Sequence, residues 1–211
     1  MLLLKDYYLE IEEWSSLKVL LPQLERNRLI KPGELEDLKI QCVKSEITTL
    51  SGKVGSGGDK ESIKTLMSLW KKTSNKVCED EELILFYANT LITLGGSREA
   101  LNAVEKVMTK KWSDRLVRFY GENDFGRNSH QMVTAEKWLK IKADSSVLFL
   151  TLARISLRNE LPEKAMKYYE LSIASSPSAE AYLELSILLG RVGDEDASFV
   201  NLKHYYKLIA V

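Results

Sequence analysis

Arg154 and Arg158 stand four residues apart, so on a helix their guanidinium groups share one face and can fork onto a carboxylate. A second basic run, Lys110-Lys111-Trp112 followed by Arg115, Arg118 and Tyr120, mixes cations with aromatic rings. That combination can hold an anionic partner such as an acidic peptide or a porphyrin propionate, although a solvated helix face is the plainer reading of the same residues. Asn89 adds an amide that both donates and accepts hydrogen bonds, which suits contact with an extended peptide backbone.

Other reactive side chains are present without the spacing that chemistry requires. His130 and His204 could ligate haem iron through imidazole, and Cys42 or Cys78 through thiolate, but there is no CxxCH and no paired spacing, so none is assigned as a metal ligand. The two cysteines are far apart and read as free thiols of a reducing compartment. Acidic groups such as Glu12-Glu13, Glu79 to Glu82 and Asp194 to Asp196 fall at helix starts, where they complement the helix dipole. The glycine-rich stretch Gly52 to Asp59 lacks GxxxxGK[ST] and follows a helix rather than a strand; it reads as a flexible connector. With no Ser-His-Asp order, no HExxH and no strand followed by GxGxxG, the chain is expected to be a non-enzyme with no resident cofactor.

Composition sets the frame for these residues. The 211 residues are 45% hydrophobic, enough for a continuous core, and 30 basic side chains balance 30 acidic ones. A neutral balance gives no electrostatic footprint for nucleic acid. The opening Met1-Leu2-Leu3-Leu4 meets Lys5 and Asp6 at once, too short an apolar run for a signal peptide or a membrane span. An amphipathic helix is nevertheless under way from the first residues, as expected of a fragment.

Apolar residues recur at helical spacing nearly throughout, broken by Lys31-Pro32-Gly33, Gly52 to Gly58, Gly95-Gly96, Gly121 to Gly126, Asn159, Pro177 and Gly193. About twelve short helices are expected. Ala100, Ala135, Ala165 and Ala197 each follow a turn and a helix start with acid or polar residues, at intervals near the 34 residues of a tetratricopeptide repeat (TPR). A small side chain is needed where two antiparallel helices approach closely. The fold class is therefore all-α, a right-handed superhelix of antiparallel helix pairs of the TPR-like α-solenoid type. Residues 146–177 and 81–114 are the clearest repeats, 115–145 and 178–211 degenerate ones, and 1–80 carries helices over 14–26, 33–50 and 59–72 without the alanine pattern, the whole read as one continuous solenoid.

TPR arrays bind along the face lined by the first helix of each pair. The positions expected there are Leu85, Phe86, Asn89 and Thr93 in the first clear repeat, and Leu150, Thr151, Arg154 and Arg158 in the second. Known chaperone-tail receptors need Lys and Asn in consecutive first helices; Asn89 alone fits, which disfavours that class.

Several stretches together resemble the C-terminal half of the HemY family: Trp70-Lys71-Lys72, Lys111 to Gly121, Ala135-Glu136-Lys137-Trp138-Leu139 and Ala181-Tyr182-Leu183-Glu184-Leu185. That resemblance implies a TPR region on the cytoplasmic side of a bacterial inner membrane, preceded by a membrane hairpin and acting in late haem synthesis. It implies partners among late haem-pathway enzymes. The alternatives are a porphyrin- or haem-binding protein using Lys111, Trp112, Arg115, Arg118 and Tyr120, and a TPR adaptor unrelated to haem.

Overall fold

The computed structural model describes residues 1–52 and 60–210. Among them the secondary structure is entirely helical: α1 (Leu2–Glu10), α2 (Trp14–Arg26), α3 (Pro32–Ser51), α4 (Lys60–Lys72), α5 (Asn75–Cys78), α6 (Glu81–Thr93), α7 (Ser97–Met108), α8 (Asp114–Glu122), α9 (Asn128–Trp138), α10 (Ser146–Arg158), α11 (Pro162–Ser175), α12 (Ala179–Val192) and α13 (Glu195–Ile209). The helix beyond the expected twelve is α5, a single turn too short to leave a periodic signal. The glycine-rich connector read from the sequence lies, over residues 53–59, outside the described residues.

The helices cluster into two compact units, Met1–Lys111 and Trp112–Val211. In the first, Leu17, Leu20, Leu21 and Leu24 line one face of α2 and pack on Leu35, Leu38 and Cys42 of α3. Pro32 opens α3 at the position where a missing N–H costs nothing. Trp70 of α4 stacks on Tyr87 of α6, ring centroids 4.0 Å apart and nearly parallel. The α6–α7 pair turns through Gly95, whose φ of +84° is the left-handed conformation that glycine adopts without penalty. Ala88 and Ala100 are fully buried in this unit, on either side of that turn.

The second unit repeats one device at its helix starts. Ser113, Ser145 and Ser178 and the carboxylate of Asp194 each accept a hydrogen bond from the backbone N–H three residues on, at 3.1, 3.3, 3.2 and 3.0 Å. Each satisfies a donor that a helix end leaves orphaned. Behind the caps, α10 pairs with α11 and α12 with α13, while α8 lies along α10. Ala135, Ala153, Ala165 and Ala181 are fully buried, but Ala197 is only half-buried.

Gly121 corrects a sequence expectation. It was expected to interrupt the helical pattern, yet it lies inside α8 and is buried. A Cβ there would sit 2.6 Å from Thr151 Oγ1 and 2.9 Å from Thr151 Cα, so glycine is what lets α8 and α10 approach this closely. Thr151 Oγ1 seals the contact by donating to the Val117 carbonyl at 2.9 Å.

Candidate functional site

Three first helices of the second unit, α8, α10 and α12, frame a cavity of about 460 Å³. Gly121 and Glu122 come from α8, Arg154, Leu157 and Arg158 from α10, and Glu184, Ile187, Leu188 and Arg191 from α12, with Tyr169 of α11 behind them. Their helix positions follow from the repeat itself: Leu157, one turn after the buried Ala153, packs on the α10–α11 core, while Arg154 and Arg158 lie beside that contact and reach Glu184 of α12 and Gly121 of α8.

The two arginines of α10 have unlike surroundings. Arg154 donates through Nε to both oxygens of Glu184, at 3.1 and 3.0 Å, and through Nη2 to Glu184 at 2.6 Å and Glu180 at 3.3 Å. Glu184 in turn accepts from the Tyr169 hydroxyl at 2.9 Å, and Glu180 from Arg118 of α8 at 2.6 Å. Burial alone would lower the pKa of Arg154, but the surrounding glutamates, Glu184 foremost, outweigh it and hold the charge more firmly than usual. Burial likewise pushes the Tyr169 hydroxyl pKa up, reinforced by Glu184, so it remains a donor at neutral pH.

Arg158 has no such counter-ion. Its Nη1 donates to the Gly121 carbonyl at 2.8 Å, tying the end of α10 to α8. Its Nε and Nη2 are buried without an acceptor, as is Nη1 of Arg154, which lies 3.6 Å from Glu122. Burial lowers the pKa of Arg158, Asp124 pulls the other way, and the neighbouring Arg154 adds to the lowering. Arg191, one turn beyond Ile187, is exposed at the rim.

The sequence-predicted positions fare differently. Leu150 and Thr151 are buried, packed between helices rather than open to a groove. Arg154 points to the groove, but its expected fork onto a partner's carboxylate is taken by Glu184. Arg158 lines the cavity. Leu85, Phe86, Asn89 and Thr93 form a continuous face on α6 of the first unit, with Phe86, Asn89 and Thr93 exposed and the Thr93 hydroxyl bonded back to the Asn89 carbonyl at 3.0 Å.

The basic and aromatic run does not assemble as one surface. Tyr120 is fully buried, its ring 4.8 Å from Trp138 and 5.9 Å from Phe125. Trp112 is half-buried, edge-on to Trp138 and donating to Asp114 at 2.7 Å. Arg118 is held by Glu180. Arg115 and Lys111 are exposed, Lys111 belonging to the first unit. A porphyrin face built from these five is therefore corrected, because the packing of α8 against α9 needs Tyr120 as core.

Residues missed by sequence reasoning are Leu157, Glu184, Ile187 and Arg191. Arg191 follows from carrying Arg158 one repeat forward; Glu184 as the partner of Arg154 has no local signal. His204 stacks on Tyr182 with centroids 5.0 Å apart, and His130 is exposed. Among the described residues there is no group of three or more His, Cys, Asp or Glu arranged to hold a metal, and no helix is long and apolar enough to cross a membrane.

A separate, more apolar cavity of about 530 Å³ lies in the first unit between α2, α3 and α4, with Leu21, Val43 and Leu69 in its wall and Lys18 and Lys39 among the polar groups lining it. Cys42 borders it; burial raises this thiol's pKa to about 11, and does the same for Cys78. Both are free and buried, and neutral at physiological pH.

Antiparallel helix pairs stacked in series, with small residues such as Ala100, Ala135 and Ala165 buried between them, define a TPR-type α-solenoid. Solved structures agree on that fold. MamA residues 41 to the end, from Desulfovibrio magneticus RS-1, matches 82% of this chain over 96% of its own, with a TM-score of 0.52 and 13% identity. The Cut9 and Hcn1 hetero-tetramer of APC/C contains a chain matching 97% of this one over 45% of its own, with a TM-score of 0.50 and 11% identity. No family model and no curated protein matches the sequence.

Proposed function

We propose that this chain is a non-catalytic scaffold that binds a partner protein along the first-helix groove of its second unit. The observation that carries the reading is the cavity between α8, α10 and α12, where exposed Ile187 and Arg191 adjoin Leu157 and Arg158. Apolar and cationic side chains on rigid helices suit a peptide-sized partner: the apolar area supplies affinity and the charges set register.

The class of partner comes from sequence resemblance. If the HemY likeness is functional, the groove receives a late haem-pathway enzyme, and the chain serves at the cytoplasmic face of a bacterial inner membrane. Site-specific photo-crosslinking tests both levels. A photo-reactive residue at Ile187 should capture a discrete partner, whereas one at Val133, equally exposed on the second helix α9, should not. Mass spectrometry of the adduct finding a haem-pathway enzyme supports the finer reading. Another protein restricts the claim to a scaffold, and equal capture at both positions rejects the groove.

A further inference from the structure

We infer that the outer face of α13 is a self-association surface, on which a second copy of this chain lays its own α13 in antiparallel, two-fold symmetric packing. This surface is separate from the groove and extends the protein's role beyond the scaffold reading.

One side of α13 is committed to α12. The Ser198 hydroxyl donates to the Ser186 carbonyl at 2.8 Å, and the half-buried Leu202 and Tyr205 share that side. Residues 196, 199, 200, 203, 206 and 207 recur at three- and four-residue steps that put them on the opposite side. Phe199, Val200 and Tyr206 are each more than half exposed there, and no residue of this 15-residue helix is buried. Covering such an apolar stripe is favourable in water.

Charge selects the occupant. The acids Glu195 and Asp196 sit in the first turn of α13, and the cations Lys203 and Lys207 lie further along it, all four exposed. None of the four makes an ion pair among the described residues; the Lys203 ammonium lies 4.3 Å from the centre of the Phe199 ring instead. Lys203 and Lys207, one turn apart, are a like-charge pair that disfavours the helix when nothing faces them. A second α13 running the opposite way reverses the order of charge. With Val200 of one copy level with Lys203 of the other, Asp196 falls level with Lys207, and two-fold symmetry forms each pair twice. The lysine stems then cover Phe199 and Val200 while their ammonium groups reach towards the acids. A parallel copy would set cation against cation, so the antiparallel copy is the one this face complements.

Sedimentation equilibrium of the full chain at low salt tests this. The average mass should rise from one chain towards two as the concentration enters the high-micromolar range, and high salt should weaken the association several-fold. Lys203→Glu/Lys207→Glu makes the face acidic throughout, and Glu195→Lys/Asp196→Lys makes it basic throughout. Each variant should self-associate about ten-fold more weakly or not at all. Mixed in equal amounts, the two should pair again, because unlike charges now meet along the whole helix. All four positions are exposed, and circular dichroism verifies that the helices are kept. Phe199→Ser should weaken the dimer without any change of charge, whereas Ile141→Ser, at a residue 65% exposed elsewhere in the second unit, should leave it unchanged. A mass that stays at one chain throughout, a dimer unaffected by either charge reversal, or no pairing on mixing overturns the inference. The crosslink from Ile187 of α12 reports on a different surface, so the scaffold reading stands or falls apart from these results.

Discussion

Two faces of this protein occupy the same register within a helix pair and have opposite fates. Counted back from the buried Ala100 and Ala165, Leu85 corresponds to Leu150, Phe86 to Thr151, Asn89 to Arg154 and Thr93 to Arg158. On α6 the face is uncharged and largely open; on α10 its first half is consumed by neighbouring helices and its second half carries a cation without a counter-ion. Position in a repeat fixes the direction in which a side chain points. What it meets there is set by the repeats on either side: Gly121 of the preceding one admits Thr151, and Glu184 of the following one claims Arg154.

The largest effect should come from Gly121→Ala. The new methyl would meet backbone of Thr151 at 2.9 Å, an overpacked contact between two helices with no flexible tip to yield. A loss of about 3 kcal/mol is expected in urea denaturation, with the α8–α10 groove disturbed while the α6 face keeps its exposure. Ser145→Ala removes the cap that orients α10 and should cost about 1 kcal/mol, again without affecting α6.

The smallest expected effect separates the units by pH. Cys42 and Cys78 both lie in the first unit, with pKa values raised by burial to about 11 from the ordinary 9.0. An acid whose folded pKa lies above its unfolded one stabilises the fold below the unfolded value and loses that contribution as pH rises through the interval. The urea midpoint should hold level up to pH 9 and decline towards pH 11, and the Cys42→Ala/Cys78→Ala variant should decline less. Iodoacetamide should label the native thiols slowly at pH 8, because little thiolate is present.

Much of the fold was legible because its signals are local. Gly95-Gly96, Asn159 and Gly193 mark breaks between helices, and Ala100, Ala135 and Ala165 mark the crossings. The helix expected over 14–26 is α2 itself. Other signals were non-local. Gly121 reads as a breaker since an isolated glycine disfavours a helix, and its reason lies on α10. Tyr120 joined a basic stripe in the sequence but points to Trp138 in the core. Of the site, Arg154 and Arg158 were found together by spacing; their unlike states depend on Glu184 and Gly121, which the chain brings from other repeats.

The central claim is that these two arginines, one turn apart, differ in kind: Arg154 is bound into a network of glutamates, whereas the Arg158 side chain makes one hydrogen bond, to the Gly121 carbonyl. Urea denaturation of Arg154→Met and Arg158→Met tests it directly. Removing Arg154 leaves Glu184 without its cation and should cost about 2 to 3 kcal/mol, below the cost for a fully buried pair because Glu184 is 27% exposed. Removing Arg158 relieves a buried cation that Asp124 only partly compensates, which offsets the lost bond to Gly121, so the midpoint should hold or rise. An equal loss in both variants, or a larger one for Arg158→Met, would contradict the account.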